Sequence, residues 1–223
     1  MRRVLCVFLC LCCMSIPAEA AEREKLVALT FDDGPSGRYT RALLDGMAQR
    51  DIKATFFLCG YRMEQYPDLV QKILASGHEI GLHGYSHKPM EAMCLQDIRK
   101  ELEKTAKLLP ESSPAVFLRP PGGACSRTVA AAAQEQGLAL LLWSVDPRDW
   151  ATNDARAVEA SVLETVRDGD VILLHDMTDS SVKAALSIMD KLQAQGFRFV
   201  TVSELASTRG ITPEPGRQYA YFR

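Results

Sequence analysis

The stretch Leu26-Val27-Ala28-Leu29-Thr30-Phe31 runs directly into Asp32-Asp33-Gly34-Pro35, so an apolar run ends on two adjacent carboxylates and a turn pair. A short apolar run bounded by turn residues reads as a strand, and in parallel α/β folds the chemistry gathers where strands end. Neighbouring side chains of a strand point to opposite faces. Both acids can therefore serve one site only if the backbone turns there, as Gly34-Pro35 permits. Taken alone, the hexamer from Thr30 to Pro35 reads more simply as a plain turn.

Outward from this stretch, further apolar runs at residues 54–58, 79–82, 116–118, 138–143, 171–174 and 197–202 read as strands. Between them apolar residues recur at helical spacing, as in Leu43, Leu44 and Met47, or Leu95, Ile98 and Leu102, or Val182, Leu186 and Leu192. Pro67 suits an early helical position, Gly77, Gly137, Gly169 and Gly196 suit helix ends, and Pro110 stops the charged helix before it. Repeated strand–helix units imply parallel strands with right-handed crossovers. The fold class expected is α/β, a single-domain distorted (β/α) barrel of about seven parallel strands; an open doubly wound sheet shares the same periodicity. Residues 21–208 form the expected domain, and residues 209–223, with Pro213 and Pro215, read as an irregular tail.

The chain has 223 residues, 47% hydrophobic, and a net charge of −2, enough for one large domain with a substantial core. No basic patch is visible, which excludes nucleic acid as the expected partner. Residues 1–20 read as a secretory signal peptide, with Arg2-Arg3, an apolar run from Val4 to Ile16, and the small-residue pattern Ala18-Glu19-Ala20. That run is shorter than the roughly 18–20 residues of a spanning helix, so no stable membrane span is expected after cleavage. Four of the seven cysteines, Cys6, Cys10, Cys12 and Cys13, lie in this leader. Cys59, Cys94 and Cys125 remain, allowing at most one bridge and one free thiol.

Polar motifs follow the candidate strands with unusual consistency. After the third comes His83-Gly84-Tyr85-Ser86-His87, after the fourth Arg119-Pro120-Pro121-Gly122-Gly123, after the fifth Asp146-Pro147-Arg148-Asp149-Trp150, and after the sixth His175-Asp176. Two histidines four apart can reach one cation, and a carboxylate from elsewhere completes a three-ligand site with open positions. Asp32 or Asp33 is the natural third ligand. Three of the four histidines fall at strand ends, whereas His78 precedes its strand and reads as structural.

These five segments, in this order, resemble the motifs of the NodB-like polysaccharide deacetylases, carbohydrate esterase family four. Lys53-Ala54-Thr55-Phe56-Phe57 and Gly196-Phe197-Arg198-Phe199-Val200-Thr201 resemble the family too, so the similarity spans nearly all of the chain after the leader. The resemblance implies that Asp33, His83 and His87 bind a divalent metal, zinc in the first place, with Co, Ni, Fe or Mn also compatible. Asp32 would be the general base acting on the attacking water. A ligand carboxylate has its lone pairs committed, so two acids are needed. His175 would be the general acid, Asp146 would hydrogen-bond and orient its imidazole, and Arg119 would pair with Asp32. The Gly122 N–H would stabilise the oxyanion. Trp150 would line a sugar subsite or simply pack, Leu173 and Leu174 would line an acetyl pocket or belong to the core, and Trp143 reads as core.

The sequence departs from the family at Leu82, where Asn is common, and at Gly84, where Ser or Thr is common; the latter bears on loop rigidity more than on metal binding. Gly122 stands where many members carry an aromatic, which opens the cleft. The function implied is a secreted, periplasmic or cell-wall-associated hydrolase removing N-acetyl groups from N-acetylglucosamine-type residues of a polysaccharide partner, peptidoglycan foremost. The same machinery would serve an O-acetyl esterase or a non-saccharide amidase. Two histidines and a carboxylate also suit an Fe(II) oxygenase, and a non-catalytic glycan-binding module is a further alternative.

Overall fold

The computed structural model describes residues 23–223; the leader expected over residues 1–20 lies outside the described residues. Seven strands occupy the expected positions: β1 (Lys25–Asp32), β2 (Thr55–Leu58), β3 (Glu79–Leu82), β4 (Phe117–Leu118), β5 (Ala139–Leu141), β6 (Val171–His175) and β7 (Phe197–Val200). An eighth, β8 (Gln218–Tyr219), joins the same sheet. The named strands all pair in parallel, in the order β6-β1-β2-β3-β4-β5-β8, with β7 on β1. The expected distorted (β/α) barrel is the architecture found.

Among the described residues eight α-helices connect and cover the strands: α1 (Arg38–Ala48), α2 (Gly60–Gln65), α3 (Pro67–Ala75), α4 (Leu95–Ala106), α5 (Arg127–Glu135), α6 (Ala155–Thr165), α7 (Asp179–Ala194) and α8 (Val202–Thr208). Their starts carry local signals. Pro67 opens α3, and Ser126, Asp154, Thr178 and Thr201 accept backbone N–H groups at the starts of α5, α6, α7 and α8. Among the described residues no helix is long and apolar enough to cross a membrane.

Strand alternation decides which side chains reach the interior of the barrel. On β1, Val27, Leu29 and Phe31 pack outward with Leu43, Met47 and Ile188 of the helices, while Leu26 and Ala28 pack inward with Phe57, Phe117 and Leu141. The inward set therefore continues through Thr30 to Asp32. On β6, Ile172 and Leu174 face the helix layer and Val171 the interior, which sends Leu173 and His175 inward. The register places Asp32 beside His175, so the two inward rows end at the same level.

The irregular tail expected over residues 209–223 is corrected by β8. It pairs with β5 through Leu140 and Leu141, while Tyr221 bridges Asp170 at the start of β6. The tail thus spans the gap between β5 and β6. Phe222 is 0% exposed, stacks on Tyr219 with ring centroids 5.4 Å apart, and its N–H donates to the Gly169 carbonyl (2.8 Å). Pro213 and Pro215 hid this strand because they precede it without interrupting it. Cys59, Cys94 and Cys125 are all free. Phe222→Ala should lower unfolding free energy by about 3–5 kcal/mol in a urea titration, the usual penalty for emptying a buried aromatic site.

Candidate active site

Asp32 ends β1, and the chain then leaves the strand through Asp33, whose φ of 71° lies in the left-handed region. The turn expected of Gly34-Pro35 thus begins one residue earlier, at the second acid itself. Aspartate tolerates this conformation better than most residues with a side chain. The break in alternation brings Asp33 to the same mouth of the barrel as Asp32.

Asp33, His83 and His87 converge, with one ligand atom from each within 4.8 Å of the others. Asp33 Oδ1 lies 3.2 Å from His83 Nε2 and 2.9 Å from His87 Nε2, yet it is buried and makes no hydrogen bond. His83 Nδ1 lies 2.7 Å from the Arg119 carbonyl. That oxygen can only accept, so Nδ1 carries the proton and Nε2 presents its lone pair to the cluster. Burial pushes the Asp33 carboxyl up, but the two imidazoles outweigh it and hold the group well below the usual carboxylate range. An orphaned carboxylate oxygen and two imidazole nitrogens, one of fixed tautomer, form a donor set that fits a divalent cation.

Asp32 is held differently. Its Oδ1 accepts from Arg119 Nη1 (2.6 Å), while Oδ2 lies 3.8 Å from His83 Nε2. Arg119 is 0% exposed and anchored by nearly all its donors: Nη1 also donates to Thr30 Oγ1 (2.8 Å), Nε to the Leu141 carbonyl (3.1 Å) and Nη2 to the Leu142 carbonyl (2.8 Å). Its guanidinium lies over Phe57, 4.1 Å from the ring centroid. The expected Arg119–Asp32 pair is present.

Across the cleft, the imidazole partner expected of Asp146 is instead Asp149. Its Oδ1 lies 2.8 Å from His175 Nδ1, and its Oδ2 accepts the His175 backbone N–H (2.9 Å). Asp149 is 2% exposed, whereas Asp146 is exposed and uses Oδ1 to accept the Arg148 N–H (2.9 Å). The physical reason is local: an aspartate before proline starts a turn and bonds its own backbone two residues on. Burial opposes a charged imidazole at His175, but Asp149, aided by Asp32 and Asp33, outweighs it and raises the group to about 9.

A cleft of about 420 Å³ joins these groups, lined by Asp32, Asp33, His83, His87 and His175, with Gly122, Trp143, Asp146, Trp150 and Leu173 around them. Larger depressions of about 810 and 620 Å³ contain none of these residues. Leu173 faces the cleft while Leu174 belongs to the core. Trp150 stands 60% exposed at the rim with Arg148 stacked on it. Trp143, expected in the core, packs against it with one side and lines the cleft with the other. Gly122 takes φ 70°, and the hydrogen bond closing its turn belongs to Gly123, which leaves the Gly122 N–H outside that bond. His78 is structural, its Nδ1 accepting the Ala54 N–H (3.2 Å).

The sequence model of the polysaccharide deacetylase family matches residues 19–141. The chain belongs to the polysaccharide deacetylase family. It is 40% identical over 200 residues to a peptidoglycan-N-acetylglucosamine deacetylase of Bacillus cereus, covering 84% of this chain and 91% of that one. It is 36% identical over 201 residues to the peptidoglycan-N-acetylglucosamine deacetylase PgdA of Listeria monocytogenes, covering 89% of this chain but only 42% of that longer protein. A solved structure of a family 4 acetyl xylan esterase from Clostridium thermocellum, in complex with a cobalt ion, superposes with a TM-score of 0.82 at 33% identity, covering 88% of this chain and 98% of that one.

Within this member of the polysaccharide deacetylase family the two acids of the fifth-strand loop are separable by titration. In an NMR titration of the imidazole, Asp149→Asn should lower the His175 pKa by about two pH units, the scale of one lost charged partner. Asp146→Asn should leave it unchanged.

Proposed function

We propose that this chain is a metal-dependent hydrolase that removes N-acetyl groups from N-acetylglucosamine-type residues of a cell-wall polysaccharide, peptidoglycan foremost. The observation that carries this reading is the pair of differently held carboxylates facing a raised-pKa histidine across one cleft. Asp33, His83 and His87 would hold the cation, with zinc the first candidate. Such an ion lowers the pKa of a coordinated water and polarises a carbonyl.

The remaining steps belong to the chain. Asp32, oriented by Arg119, accepts the proton of the attacking water. The Gly122 N–H donates to the developing oxyanion, and Leu173 and Trp143 shelter the acetyl methyl. An amine leaves only if its nitrogen is protonated as the C–N bond breaks. His175, with its proton retained up to about pH 9, delivers it, and Asp149 stabilises the imidazolium that does so. Asp146 orients no catalytic group in this reading; it lines the sugar-binding cleft with Trp150.

Asp32 and His175 have no work to do in an Fe(II) oxygenase, which is why hydrolysis is preferred. The acetyl xylan esterase neighbour keeps ester substrates in the test. The leader pattern of residues 1–20 and the peptidoglycan-directed relatives support action outside the cytoplasm.

The purified protein should release acetate from peptidoglycan fragments or chitooligosaccharides faster than from acetylxylan, measured by mass spectrometry. A chelator should stop the reaction and zinc restore it. Asp32→Asn should reduce kcat at least about 100-fold, the lower end of a general base's contribution, with metal still bound. Asp33→Ala should lose the metal. As pH rises through about 9, His175 loses the proton it must donate, so kcat/KM should fall on that side. Metal-loaded wild type that releases no acetate from any of the three substrates would overturn the reading.

A further inference from the structure

The loop carrying His83 and His87 reverses sharply, with Gly84 at φ 75° and His87 at φ 59°. A histidine holds a left-handed conformation only where its surroundings over-determine it. The family's usual Ser or Thr is missing at Gly84, and a Cβ there would come within 2.8 Å of Met90 Cε. The loop therefore takes its rigidity from elsewhere.

Two helices grip it from opposite sides. At the start of α2, the N–H groups of Gly60 and Tyr61 donate to the carbonyls of Gly84 (3.0 Å) and Tyr85 (3.1 Å). From α4, Glu101 Oε2 accepts the N–H groups of both Tyr85 (2.8 Å) and Ser86 (2.7 Å), and Oε1 accepts the Ser86 hydroxyl (2.9 Å). Tyr85 ties the two helices together, its hydroxyl donating to Glu64 of α2 (2.7 Å) and its ring lying 3.3 Å from Lys104 Nζ of α4. Among the described residues Glu101 has no ion-pair partner within 4.0 Å, so its side-chain hydrogen bonds are to this loop. Consecutive backbone N–H groups aimed at one oxygen form a small nest, in which the position of the shared acceptor sets the orientation of both peptides.

We propose that Glu101 is a positioning residue for the metal site, holding the 84–86 backbone so that His83 and His87 are aimed at Asp33 before any cation arrives. This rests on the metal-site reading above. Its consequence is an affinity that depends on a side-chain acceptor touching neither the ion nor the substrate. Preorganisation removes the cost of ordering the loop on binding, and outer-sphere contacts of this kind shift metal affinity about 10–100-fold.

The test is zinc affinity, measured by competition with a chromophoric chelator on the full chain, for wild type, Glu101→Gln, Glu101→Asp and Glu101→Ala. Thermal melts of the metal-free proteins report folding. The glutamine amide oxygen can still accept both N–H groups, and its NH2 can donate to Ser86 Oγ. Aspartate keeps the charge but draws the acceptor back by one methylene. Glu101→Gln should bind zinc within about threefold of wild type, and Glu101→Asp and Glu101→Ala about 10–100-fold more weakly. All should melt cooperatively without metal.

Glu101→Asp binding as tightly as wild type overturns the proposal, as does Glu101→Gln binding as weakly as Glu101→Asp. The Gln–Asp comparison keeps the test decisive if Glu101→Ala does not fold. Wild type that binds no zinc overturns the metal-site reading itself, a result distinct from either.

Discussion

The buried guanidinium of Arg119 is the constraint on which the site depends. Its side chain fixes Asp32, and its backbone carbonyl fixes the tautomer of His83, so one residue sets both the proposed base and a proposed metal ligand. A buried ion pair is seldom a net gain in stability, because desolvation of both charges offsets their attraction. Here the pair is surrounded by further acceptors: Thr30 Oγ1 and the carbonyls of Leu141 and Leu142 take three of the remaining donors. Thr30 in turn donates to the Ile172 carbonyl (2.7 Å), which links the guanidinium to β6 and so to the strand bearing His175. Removing the Arg119 side chain would leave Asp32 without its partner in the barrel, while the backbone carbonyl that fixes the His83 tautomer would remain. Its role is orientation, with stability a secondary matter.

Around that anchor the fold separates two kinds of work. The proposed proton-transfer groups Asp32 and His175 end adjacent parallel strands at one register position, held by the ladder. The proposed metal ligands Asp33, His83 and His87 lie just beyond strand ends, in backbone that has left the ladder. Adjacent residues of one strand could not both face the cleft; the left-handed turn at Asp33 is what allows neighbouring acids to share a site while being held by different partners.

Most of this was legible in the sequence because strand ends mark themselves. Apolar runs located seven strands to within a few residues, and the residues after five of those runs met in one cleft. Three things were not legible from that pattern. Asp146 and Asp149 lie three residues apart in one loop, and only the Asp-Pro pair at 146–147 distinguished the turn-former from the histidine's partner. Helices α5 and α8 escaped because alanines blur the apolar stripe of one, while the other begins at a strand's end; Thr201 and Glu204 are nevertheless a capping-box spacing. Glu101 gave no signal, since an acid on a charged helix looks like any solvated residue until the loop opposite is in place.

The shape of the cleft bears on what reaches these groups. Gly122 presents no side chain, and a Cβ there would touch nothing within 4 Å, so this side of the entrance stays open. Trp150 stands at the rim with most of its surface free, and an exposed indole stacked by Arg148 offers a flat, rigid face at small entropic cost. Deeper in, Leu173 and Trp143 leave room for something small and apolar between the acids and the imidazole. A deep closed pocket would demand a chain end or a free sugar. An open mouth with apolar surface beside the polar groups instead suits the proposed substrate, an acetyl substituent on a polymer that extends past the cleft.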